Sequence, residues 1–161
     1  MKYQWQRAQG MDVAEIVRMA QDHFESEADT VWATDPHTYA YNVAMTVVSQ
    51  MYNPMGSLLM TAKDESGKII AYAWVARGEH AVWSSDEMIV VRIAHVDLGL
   101  PARTRVRLIQ DMIGLWETWA QGIGVPVICS TTMRGDQAGF MRIHERAGYT
   151  IRGSVAYKRL E

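Results

Sequence analysis

The apolar residues of this chain change period several times, and that alternation limits the fold more than any other feature. At Val13, Ile16, Val17, Ala20 and Phe24, and again at Tyr39, Val43, Val47 and Met51, they recur at the spacing of an amphipathic helix. From residue 57 the pattern breaks into short apolar blocks. SLLMTAKD (57–64) and IIAYAWVA (69–76), joined by ESGK, read as a hairpin. EMIVVRIAHV (87–96) is apolar enough for a strand inside a sheet. Helical spacing returns over about 101–121 and stops at Gly122 and Gly124.

The punctuation completes the reading. KYQWQRA (2–8) forms a first strand, Gly10 breaks it, and Asp12 caps the helix that follows. ESEADTVWAT (25–34) is a polar loop. Asp35-Pro36 opens the second helix, with Asp35 as N-cap and proline at the first helical position. PVICSTTM (126–133) is a strand, residues 137–147 a short helix, and YTIR (149–152) and SVAYKRL (154–160) a closing pair of strands. The expected order is β-α-α-β-β-β-α-β-α-β-β. It implies an α/β (α+β) fold in one domain spanning 1–161: a mixed, mainly antiparallel sheet of about six or seven strands, flanked by about four helices.

Composition excludes several function classes. Cys129 is the one cysteine, so no intrachain disulfide forms, and a reducing, cytoplasmic setting is expected. The start, MKYQWQRAQGMD, has no apolar signal core, and no apolar run approaches the ~18 residues of a membrane span. A net charge of −2 gives no general attraction to nucleic acid or anionic lipid. The five histidines are scattered, with no metal-ligand spacing.

Two stretches carry a family resemblance. WETWAQGIGVPVI (116–128) joins a tryptophan-bearing helix end, a short glycine turn and an apolar strand. DQAGFMRIHERAGY (136–149) is a helix closing on Arg146, Ala147, Gly148 and Tyr149. With the element order, these resemble the Gcn5-related N-acetyltransferases, the GNAT superfamily, and the chain also looks similar to GNAT-like proteins of tailed bacteriophages. The resemblance implies acetyl-CoA as co-substrate and direct attack of an amine on its thioester. For a viral protein it extends the expected location to the host cytoplasm or the virion.

The chain departs from that family at two places. Members usually hold the pyrophosphate of acetyl-CoA on a glycine-rich turn before the long helix. Here the corresponding residues, Thr104 to Ile109, read TRVRLI and contain no glycine. Arg103, Arg105 and Arg107 offer guanidinium groups instead. Arg103 and Arg107 share a helix face, which is equally a solvated polar stripe, while Arg105 points elsewhere. With Thr104, Val106, Val96 and Gln137, these are the expected cofactor contacts. The second departure is His144, which stands where many members have a proton-donating tyrosine. It is able to donate a proton near neutral pH, yet it also borders the apolar stripe of Phe140, Ile143 and Ala147, as a structural histidine would.

For the base that deprotonates the amine, the resemblance points to the end of the central strand, at His95 and Asp97, ahead of Asp86 and Glu87 at its start. His95 reads more readily as a side chain packed between sheet and helix, and Asp97 as a turn residue before Gly99-Leu100-Pro101. Cys129 reads as buried and inert. Ser130, Thr131 and Thr132 form a polar strand end. The acceptor side should be bordered by residues 25–51, with Glu25, Glu27, Asp29, Trp32, Asp35, Tyr39 and Tyr41. Two functions follow: an active N-acyltransferase with an unidentified amine acceptor, or a GNAT-shaped domain that no longer binds CoA and serves as a structural or binding component, such as a virion protein or an inhibitor of a host protein. The basic groups at 142, 146, 152, 158 and 159 fall on different faces and suit no nucleic-acid surface. Exposed aromatics and methionines permit a protein partner or a homo-oligomer.

Overall fold

The computed structural model describes residues 1–27, 31–132, 137–153 and 156–159. Its strands are β1 (Tyr3–Arg7), β2 (Ser57–Asp64), β3 (Ile69–His80), β4 (Glu87–Val96) and β5 (Val127–Ser130). Its helices are α1 (Val13–Glu27), α2 (Pro36–Tyr52), α3 (Ala102–Gly122) and α4 (Ala138–Arg146), with a 3-10 turn at Gly10–Asp12 before α1. The strands form one sheet in the order β1-β2-β3-β4-β5. All pairs are antiparallel except β4–β5, which is parallel.

Local chemistry fixes the boundaries. Asp35 caps α2 by accepting from the His37 N–H at 3.0 Å, with Pro36 behind it. In the β2–β3 turn the Asp64 carboxylate accepts from the Ser66 and Lys68 N–H groups, and Gly67 supplies the φ of +86° that the turn requires. Gly124, at φ +73°, turns the chain out of α3. Asp12 closes the 3-10 turn and does not stand first in it: its carboxylate reaches back to the Gln9 N–H at 2.9 Å and also binds Lys63 Nζ.

The sheet separates two cores. On one face α3 lays Leu108, Met112 and Trp116 against Ile70, Val75, Ile89 and Val91. On the other, α1 and α2 bring Ile16, Val43 and Val47 onto Leu59, Ile69 and Tyr72. Gln50 ties α2 to the sheet, donating to the Ala8 carbonyl and accepting from the Leu59 N–H, each at 3.0 Å.

The structure corrects three expectations. The sheet has five strands among the described residues, not six or seven. YTIR and the described part of the last segment, 156–159, are not strands; residues 154, 155 and 160 lie outside the described residues. Alternation supplies only a potential to pair, and it needs a ladder to add to. β5 offers just four residues, and Tyr157 instead packs edge-on against Trp32 with centroids 4.6 Å apart. The helical backbone of α1 runs to Glu27, because Glu25 and Glu27 are good helix formers, so the loop begins later than composition suggests. Met133, expected to end the strand over 126–133, and Asp29, expected beside the acceptor, lie outside the described residues. Among the described residues no helix is long and apolar enough to cross a membrane.

Candidate functional site

The sheet opens between β4 and β5. The two strands pair over four residues only, Met88–Val91 with Val127–Ser130. β4 continues to Val96 with β3 alone on its other side. At the parting point Trp74 pairs with Ile93 and Val75 with Val91, so Arg92 has no opposite residue. Such a bulge bends a strand and strengthens its twist, which carries β4 away from β5. Among the described residues, the second half of β4 is left with an open edge.

A cleft of about 340 Å³ lies on the α3 side of this opening, between the end of β4, the start of α3 and one face of α4. Val96, Val106, Ile109, Phe140 and Ile143 make it apolar. Arg105, Arg142 and Arg146 also line it. Among the described residues no carboxylate does, and none of the three guanidinium groups is ion-paired. Arg105 Nε is buried with no hydrogen-bond partner. The α3 N-terminus adds two donors. Thr104 and Arg105 N–H groups bond to the Pro101 carbonyl, and Pro101 provides no side-chain cap. The N–H groups of Ala102 and Arg103 are therefore left for an outside acceptor.

The expected cofactor residues divide. Val96, Arg105 and Val106 line the cleft; Arg103, Thr104, Arg107 and Gln137 do not. Arg107 lies over the Tyr3 ring, 5.7 Å from its centroid, beside the Asp111 carboxylate that accepts from Tyr3 Oη at 2.7 Å. Arg103 is exposed, and Gln137 is the exposed residue that precedes α4. Sequence reasoning missed Arg142 and Arg146 as cleft residues and set them on different faces. They are four apart on α4 and share one, and that spacing is the signal that reveals them.

The three expected catalytic residues are not brought together. Asp97 sits past the end of β4, where its carboxylate accepts from Lys68 Nζ at 3.0 Å and from the Gly99 N–H at 2.9 Å. The bond from Lys68 holds its carboxyl below the usual range, so it is a weak base. His95 is buried on the α1/α2 face, stacked on Tyr72 at 5.2 Å. Tyr72 in turn shares a 3.0 Å hydroxyl–hydroxyl hydrogen bond with Tyr39, and burial pushes the hydroxyl pKa of both upward. His144 is 1% exposed, within α4, and faces Phe140, Trp116 and Tyr149, not the cleft. Its Nδ1–H donates to the Phe140 carbonyl at 3.0 Å. Its Nε2 is buried without a partner, and desolvation holds its pKa below 6.5.

The remaining candidates have plainer surroundings. Asp35 serves α2 as its cap, Tyr41 points outward, and Glu87 forms a two-bond ion pair with Arg77. Cys129 is half-buried in β5, and Ser130 Oγ is buried without a partner at the parting point of the sheet.

No protein-family model matches the chain, and no curated protein does. Solved structures match over its whole length. The aminoglycoside acetyltransferase AAC(6')-Iy, solved with the bisubstrate analogue CoA-S-monomethyl-acetylneamine, is 11% identical over 100% of this chain and 99% of its own, with a TM-score of 0.73. The aminoglycoside 6'-N-acetyltransferase AAC(6')-Ih from Acinetobacter baumannii is 12% identical over 99% of both chains, with a TM-score of 0.70. Glucosamine-6-phosphate N-acetyltransferase from Arabidopsis thaliana is 10% identical over 100% of both chains, with a TM-score of 0.68. The likeness is one of fold, and the fold is that of the GNAT acetyltransferases.

Proposed function

We propose that this chain is an acetyl-CoA-dependent N-acyltransferase that moves an acetyl group directly onto an amine. The observation that carries the reading is the cleft at the β4–β5 opening, with three guanidinium groups that are not ion-paired among the described residues and a buried Arg105 Nε that has no acceptor there. A buried donor without a partner costs roughly 1–3 kcal/mol, and a phosphate oxygen removes that cost. The fit to acetyl-CoA is chemical at each part. Its phosphates suit Arg105, Arg142, Arg146 and the free amides of α3. The apolar lining suits a slender alkyl amide arm, and the open edge of β4 offers backbone groups to that arm's amides, as an added strand would receive them.

The missing glycines change the grip. Arg105 and Val106 put side chains where a glycine turn would leave bare backbone, so phosphate binding rests more on guanidinium groups than on amides. When bound, acetyl-CoA supplies the activated acyl group. The amine must lose a proton as it attacks. Of the three sequence candidates that task falls to His95, because Asp97 is held by Lys68 and His144 is walled off.

Calorimetric titration with acetyl-CoA tests the reading, followed by thiol release with a panel of amines. Binding in the micromolar to millimolar range is the expected result. A flat trace at millimolar ligand overturns the reading and leaves a GNAT-shaped binding protein.

A further inference from the structure

Among the described residues, the outward face of α2 has no occupant. Tyr41, Met45, Val48 and Tyr52 are spaced by four, three and four residues, and Met55 continues the series three further on. At 3.6 residues per turn the four helical positions fall within an arc of about 60°, diametrically opposite the buried stripe of Val43, Val47 and Gln50. They are 65%, 48%, 47% and 85% exposed. This is the narrow, 3.5-residue repeat by which a helix seats against another helix.

A second copy of the same helix fits the stripe. In an antiparallel pair centred between Met45 and Val48, Tyr41 meets the partner's Tyr52, and Met45 meets the partner's Val48. The order Tyr-Met-Val-Tyr therefore matches itself in size when reversed, as an isologous two-fold interface demands. Charge agrees. From Pro36 to Ala62 the sequence has no Asp, Glu, Lys or Arg, so two copies approach without like-charge repulsion. The outer face of α3 is the contrast within the same molecule, with Arg103, Arg107, Gln110 and Gln121 exposed to water. With Met55, the α2 face presents on the order of 600–700 Å² of side chain, near the roughly 800 Å² that each partner of a standard interface buries.

We infer that the protein is a homodimer in which α2 packs antiparallel on α2 about a two-fold axis. The inference is independent of the acetyl-transfer reading. Sedimentation and light scattering on the full chain test it. The wild type runs at twice the chain mass, and M45K and V48E each run as monomers with unchanged circular dichroism. An equimolar mixture of the two variants returns to the dimer mass, because the new lysine of one copy lies opposite the new glutamate of the other. A monomeric wild type overturns the inference. So does a dimer that survives both substitutions, which would place the interface on another face. Failure of the mixture to reassociate, with both variants folded, overturns the antiparallel two-fold pairing.

Discussion

Replacing His144 by phenylalanine should leave the protein at least as stable as it is now. The imidazole is sealed among Phe140, Trp116 and Tyr149, and the Phe140 carbonyl fixes the proton on Nδ1. Nε2 is then a bare acceptor, buried and unpartnered, at a cost of about 1–3 kcal/mol. Phenylalanine removes that acceptor and fills a similar volume beside three aromatic rings. What is lost is the Nδ1–H bond, worth about 1 kcal/mol. The helix carbonyl that received it keeps its ladder partner. The net change is a gain of about 1 kcal/mol, or a rise of roughly 2–4 °C in Tm for a domain of this size. His144→Ala keeps the relief but opens a cavity and loses about 3 kcal/mol. The variants also differ in acid. Burial holds the folded pKa of His144 below 6.5, so the unfolded chain takes up a proton first. Stability is full above 6.5 and falls as pH drops toward the folded value, and His144→Phe removes that contribution. Urea melts of the three proteins across this range measure all of it. A loss of more than about 1 kcal/mol in His144→Phe at neutral pH would refute the argument, and an undiminished acid slope would refute its electrostatic half.

Other side chains give equally direct expectations. Arg105→Ala should weaken acetyl-CoA binding about 10- to 100-fold, the worth of one or two charge-assisted bonds, while Arg107→Ala, which faces Tyr3, should leave affinity unchanged in the same titration. Asp12→Ala should cost about 3 kcal/mol in chemical denaturation, since it strands Lys63 and frees the Gln9 N–H; a loss under 1 kcal/mol would show that the pair is idle. Gln50→Leu should cost about 2–4 kcal/mol by leaving the Ala8 carbonyl and the Leu59 N–H buried without partners, and amide exchange at Leu59 should speed up in step.

Elements whose ends carry their own chemistry were legible in the sequence. Asp35-Pro36, the Asp64–Lys68 turn and Gly124 mark boundaries by capping and by positive φ, and β4 lies where its apolar run places it. Elements that depend on a neighbour were not. YTIR alternates as a strand should, but whether it pairs is decided by the length and direction of β5. The bulge at Arg92 is equally silent, because no glycine or proline marks it, yet it opens the sheet where the cleft forms. Asp97 and His95, two apart, look like one site; the strand ends between them, so one packs on Tyr72 and the other turns to Lys68.

The arginines of α3 show why the binding site was harder to read than the fold. Arg103 and Arg107 are four apart, which invites pairing them and setting Arg105 aside. The better guide is the buried stripe of the same helix. Leu108, Met112 and Trp116 face the sheet, and Arg105 stands one turn before Leu108 and Ile109, at the head of that stripe. A guanidinium group at the head of an apolar stripe must leave water for a partner or remain unsatisfied. The sequence offers no carboxylate one turn away to serve: positions 101, 102, 108 and 109 are Pro, Ala, Leu and Ile. Arg142 and Arg146 line the same cleft from α4, exposed to water and without an ion pair among the described residues. Three cations from two helices converging on one apolar cleft repel one another when it holds no anion. A bound polyanion reverses the sign of that energy, so acetyl-CoA should raise the melting temperature of the wild type. It should do so far less for Arg105→Ala, and rising salt should shrink the difference.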